Sequence, residues 1–132
     1  MLATLRVIPL LAFPLVVFIL CALAFGAGWT GSTFFETDMF SGAHWTVSAG
    51  DVFVFLTLLV LFAEIVKSVN TGATEILNHG LSMLVAVACT ILFVTTSAFT
   101  NSTFFLLTSM AFIDVVAGFV ITIVAARRDF GH

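Results

Sequence analysis

Tyrosine is absent from this chain of 132 residues, and Lys and Arg together number only 4. So few cations cannot form the basic face that tracks a phosphate backbone, which excludes nucleic acid as a partner. Cysteine occurs twice, at Cys21 and Cys89, in apolar runs far from the spacing of a zinc or thioredoxin site. Both read as small packing residues. Histidine occurs three times, and only His79 falls near an apolar segment; His44 and His132 are misplaced for the facing pair that a transmembrane haem needs. No glycine-rich phosphate loop, nucleophile elbow or metal-ligand pair at helical spacing is present. The sequence therefore reads as a non-enzyme with no cofactor, no metal and no catalytic residue.

What it has in abundance is hydrocarbon. Hydrophobic residues make up 61% and charged residues 8%, against about 45–50% and about 25% in soluble domains. A globule this small has too much skin for its core to hide such a surplus. The chain reads as one integral membrane domain over residues 1–132, an all-α bundle of four transmembrane helices with lipid as its surround. Spans are expected at about 7–25, 52–69, 73–99 and 103–126. The first, preceded by Arg6, also has the flavour of a signal peptide, but its apolar run exceeds the usual h-region of about 7–15 residues. Pro9 suits a first helical turn, whereas Pro14 is expected to kink the helix.

Charge sets the orientation. Arg6, Lys67, Arg127 and Arg128 fall on one side of a four-span arrangement, and Glu36, Asp38 and Asp51 on the other. The positive-inside rule then puts both termini in the cytoplasm of an inner membrane. Trp29 and Trp45 flank the outer boundary, where amphipathic rings prefer to sit. Gly72 is expected to end the second helix, Asp51 to cap that helix at its start, and Asn101 and Ser102 to cap the last. The long outer connection reads as an extracytoplasmic β-hairpin over about 33–48. Pairing Met39 with Trp45 puts Phe35, Met39, Trp45 and Val47 on one face, expected to lie on the bundle. Glu36, Asp38, His44, Thr46 and Ser48 share the other, a solvated face rather than a cation site.

Polar residues inside a bilayer must bond within protein, so they mark interior faces. Thr57, Glu64, Lys67, Ser68 and Thr71 recur at helical spacing on the second span. Glu75, His79, Ser82, Ala86, Cys89 and Thr90 do so on the third, and Thr108, Ala111, Val115, Gly118, Thr122 and Ala125 form a small and polar stripe on the fourth. Lys67 follows Glu64 by three residues and can pair with it. With Glu75 and His79 they form an expected clamp across the inner turn, or alternatively a proton entry path, since histidine exchanges protons near neutral pH. Asp114 is the costliest residue of all. It lies twelve residues from Ala126, roughly 18 Å along a helix. A charge at the bilayer midplane costs at least about 2.5–3.5 kcal/mol. The same depth on the third span is expected at Thr90, so a neutral Asp114 bonded to Thr90 is the expected arrangement.

The stretches "SGAHWTVSAGD" and "FFLLTSMAFIDVVAGFVITIVAARRDFG" resemble segments of small four-span inner-membrane proteins of bacteria, over roughly a third of the chain. That resemblance implies a bacterial cytoplasmic membrane and brings no activity with it. Small multidrug transporters are similar in architecture alone, for their buried carboxylate is in the first helix, and this first helix has none. The function expected is a non-enzymatic accessory subunit of a membrane complex, or one that self-associates. The alternative is a proton-linked transporter or ion path using the buried carboxylate.

Overall fold

The computed structural model describes residues 6–69 and 73–130; Thr71, expected on the polar face of the second span, and Gly72, expected at the turn that follows, lie outside them. Helix α1 (Ala12–Phe25) is followed by a short 3-10 turn (Trp29–Gly31) and strands β1 (Thr33–Asp38) and β2 (His44–Ser48). Helices α2 (Ala49–Lys67), α3 (Ala73–Thr95) and α4 (Ser102–Phe130) complete the chain. Three of these, α2, α3 and α4, are long and apolar enough to cross a membrane, while α1 is a shorter apolar helix of 14 residues.

Exposure runs opposite to that of a water-soluble protein. Glu64, Asn78, Ser82, Thr108 and Asp114 are buried, whereas Leu23, Phe25, Phe62, Ile76 and Val94 stand more than half exposed. A surround of hydrocarbon permits that distribution, because lipid tails match the exposed side chains and the polar groups find partners inside. The most extensive packing joins α3 to α4 and then α2 to α4. Small residues allow it: Ala86 and Ala111 are 2% exposed at the centre of the bundle.

At the hairpin end of the bundle, Phe18, Phe53, Phe99, Phe104 and Leu107 close over Cys89. Phe18 is the hub, with ring centroids 5.5 Å from Phe53 and 4.9 Å from Phe104. Trp29 covers this plug edge-on, 5.1 Å from Phe18 and 5.7 Å from Phe53. The two tryptophans thus differ: Trp29 is part of the packing and Trp45 is 49% exposed.

Local chemistry explains the ends of the helices. Ser48 and Asp51 form a capping box, with Asp51 N–H donating to Ser48 Oγ (3.1 Å) and Ser48 N–H to Asp51 Oδ2 (2.9 Å). The helix therefore starts at Ala49, three residues earlier than expected. Asn101 caps α4 by accepting from Phe104 N–H at 2.8 Å. The two prolines exchange their expected roles. Pro14 sits harmlessly in the first turn of α1, and the break falls around Pro9, with Ile8 and Pro9 outside any helix. A residue before proline is pushed out of the helical region, which stops the chain at Ile8.

The hairpin forms with its expected faces but a different register. Phe35 pairs with Val47, Thr37 with Trp45 and Asp38 with His44. Met39 faces Ala43, not Trp45, through a 2.8 Å bond from its N–H, and Gly42 at φ 86° completes a three-residue loop. The shift is two residues, so the alternation survives it. The apolar face does not rest on the bundle, since Phe35, Met39 and Trp45 are 43–49% exposed. Trp29 already fills the hairpin end of the bundle, where Trp45 was expected to lie.

Candidate intramembrane polar site

Pro9 creates the site's first requirement. In an unbroken helix Ile8 C=O would accept from Ala12 N–H, but that donor turns to Pro9 C=O at 3.1 Å. Leu10 N–H is likewise cut off from a helical acceptor. Two backbone groups are thus left needing partners in an apolar interior, where each unmade bond is costly. Helix α2 supplies both. Glu64 Oε2 accepts from Leu10 N–H at 2.8 Å, and Lys67 Nζ donates to Ile8 C=O at 3.1 Å.

Helix α3 closes the arrangement through Asn78. Its Nδ2 donates to Glu64 Oε1 (3.1 Å), and its Oδ1 accepts from Lys67 Nζ (3.1 Å). Lys67 Nζ also lies 3.3 Å from Glu64 Oε2, which is itself wholly buried. An ammonium has three protons to give, and Lys67 directs them at Ile8 C=O, Asn78 Oδ1 and Glu64. Both charges are therefore compensated and hydrogen-bonded, the condition under which a buried pair is tolerable. The clamp expected across α2 and α3 exists, though its α3 member is Asn78 rather than Glu75 or His79.

Asn78 escaped the sequence reading, although an amide in an apolar run is as conspicuous as the neighbouring hydroxyls. The backbone partners were harder to find. Pro9 could have marked them, because the proline that breaks a helix also frees the carbonyl before it.

A second polar centre lies beside the clamp. Ser82, Asn78, His79 and Glu75 from α3 and Asp114 and Gly118 from α4 border a cavity of about 20 Å³. That is room for a water molecule. Asp114 is 4% exposed and sits level with Ser82, about two turns from Thr90. Thr90 donates instead to Ala86 C=O of its own helix at 2.9 Å. The expected Asp114–Thr90 bond is therefore not made. Twelve residues from Ala73, where α3 begins, reach Val85, so a depth matched at Thr90 overshoots by five residues; α4 also runs on to Phe130. The other interior hydroxyls behave like Thr90: Thr57, Ser82 and Thr108 each bond a carbonyl four residues back. Thr57 and Thr108 thereby satisfy themselves without bridging helices, whereas Ser82 also meets the Asp114 side chain of α4.

His79 rests its ring edge-on against Phe119, centroids 4.4 Å apart. Its Nε2 is buried without a hydrogen-bond partner among the described residues. Only glycine fits beneath it, since a Cβ at Gly118 would lie 2.5 Å from His79 Nδ1. The hairpin trio differs in kind. His44 Nδ1 meets Asp38 Oδ1 at 2.7 Å and Nε2 lies 3.7 Å from Glu36, with all three side chains more than half exposed. It is a solvated pairing.

No family model, curated protein or solved structure matches this chain. The functional reading therefore rests on the residues themselves.

Proposed function

We propose that this chain is a four-span protein of a bacterial inner membrane, with both termini cytoplasmic, that acts as a non-enzymatic subunit of a larger membrane complex. The uncovered hairpin face carries the reading. Phe35, Met39 and Trp45 alternate as a buried face should, yet each is nearly half exposed, and Phe40 at the loop tip is completely so. An apolar patch rimmed by polar residues is characteristic of a protein contact. The occupant we assign is a second membrane-protein chain rather than lipid headgroups. The hairpin side carries Glu36, Asp38 and Asp51 and no cation to hold an anionic headgroup, while every Lys and Arg is at the other end. The clamp of Glu64, Lys67 and Asn78 serves this role by holding the broken first helix against α2 and α3.

A photo-crosslinker placed at position 45 tests the reading in intact cells. A discrete protein adduct is expected, formed at position 45 and absent at the outward-facing Thr46. Adducts with lipid alone, or equal products from both positions, would refute it. A second reading, a proton-linked path, is favoured by one observation: a buried carboxylate and an unpartnered imidazole share a water-sized cavity.

A further inference from the structure

We infer that Asp114 and His79 form a water-bridged pair that takes up and releases a single proton from the inner-turn end of the bundle. The inference deepens the second reading by naming its site, and rests on that reading only in treating Asp114 as an exchanging group.

The argument begins with the nearest cation. Lys67 lies close enough to act on Asp114 electrostatically, as does Glu64. Its three protons, however, are directed at Glu64, Asn78 and the Ile8 carbonyl. Lys67 cannot also donate to Asp114. The titratable or charged groups facing this region are Glu64 and Lys67 from α2, and Glu75 and His79 from α3. Within α4, Arg127 and Arg128 lie more than three turns further along, and the segment before α1 brings only the Leu10 N–H and the Ile8 carbonyl. Glu64 is occupied by Lys67, and Glu75 has the same sign as Asp114. His79 is the remaining group able to exchange a proton with Asp114.

Its placement suits that task. Nε2 is buried without a partner, and the imidazole and Asp114 border one cavity large enough for a water. A proton leaving the Nε2–H of an imidazolium passes through that water to the Asp114 carboxylate. The products are a neutral imidazole, keeping its proton on Nδ1, and a neutral carboxylic acid. One positive and one negative charge become none, and no oxidant or reductant takes part. Exchange with solvent is confined to one end. Ser68 and Glu75, at the inner ends of α2 and α3, border the cavity, whereas the aromatic plug around Phe18 and Phe104 closes the outer half.

Infrared titration of the full chain in lipid reads the carboxyl proton directly, through the carbonyl stretch of a protonated acid. The parent-minus-Asp114→Asn difference spectrum should show one carboxylic-acid component that grows as pH falls, the other six acidic side chains of the chain cancelling. His79→Gln should displace its midpoint by about tenfold in proton concentration, equivalent to about 1.4 kcal/mol of coupling. Gly118→Ala should do the same without removing either titrating group, because its new Cβ evicts the ring. A difference spectrum with no such component overturns the inference. So does a midpoint unchanged in both other variants. Near-ultraviolet circular dichroism verifies folding, and if Gly118→Ala does not fold, His79→Gln decides the outcome alone. Vesicles that pass no protons would remove the transport reading and leave the titrating pair standing.

Discussion

Replacing Glu64 by glutamine tests whether the clamp holds the first helix in place. Three donors converge on two carboxylate oxygens: Leu10 N–H and Lys67 Nζ on Oε2, and Asn78 Nδ2 on Oε1. Glutamine keeps one acceptor and turns the other into a donor. The Asn78 contact must fail, the other two lose the charge of their acceptor, and hydrogen bonds to charged groups contribute about 1.5–3 kcal/mol each. The upper end of that sum does not apply. The Lys67 side chain is 17% exposed and can extend toward water, which relieves part of its stranded charge. Interhelical bonds in membranes also average only about 0.6 kcal/mol, because the unfolded helices find other partners. The expected loss is about 3 kcal/mol, roughly two powers of ten in the folding equilibrium. Lys67→Met should cost a similar amount, by leaving a buried carboxylate unpaired and Ile8 C=O without its donor. The double variant removes both charges at once, so it should lose about 2 kcal/mol less than the sum. Reversible unfolding of the micellar protein by a denaturing detergent, followed by near-ultraviolet circular dichroism, measures all three. A Glu64→Gln protein within about 0.5 kcal/mol of the parent, the ordinary scatter of a neutral surface change, would refute the reasoning. A strictly additive double variant would do so as well.

Two further substitutions probe the hairpin end of the bundle in the same assay. Gly50→Ala should destabilise by about 1–3 kcal/mol. Its Cβ would lie 2.9 Å from Thr30 C=O, which cannot yield as a side chain can, and 2.6 Å from Thr103 Oγ1; unchanged stability would mean this approach is looser than described. Trp29→Ala should cost about 2 kcal/mol, less than a fully buried aromatic, and Trp45→Ala under about 0.5 kcal/mol. Equal losses at the two tryptophans would contradict the division between plug and exposed face.

Length and polarity along the chain were enough to find the elements but not all of their ends: the first helix begins at Ala12 rather than residue 7, α3 stops at Thr95 rather than 99, and α4 runs past 126 to Phe130. Asn101 caps α4 as expected, whereas the cap of α2 is Ser48, with Asp51 three residues further on. Alternation through "TFFETDMF" and "HWTVS" likewise sorted the hairpin's two faces, since a two-residue shift cannot change a period of two. The spacing of Glu64 and Lys67 contained their ion pair. What lay beyond the sequence was always a matter of relative position between elements. Which proline breaks the first helix depended on where α2 could offer a carboxylate and an ammonium to the freed backbone. The level of Asp114 depended on where α3 begins and how far α4 runs, and that offset put Ser82 beside it and Thr90 out of reach. Trp29, not Trp45, closed the hairpin end of the bundle because the 3-10 turn brings it over Phe18 before the hairpin begins. Gly118 reads in the sequence as one more small residue for close packing. Only the fold, by laying the His79 ring across it, makes it the seat of an imidazole.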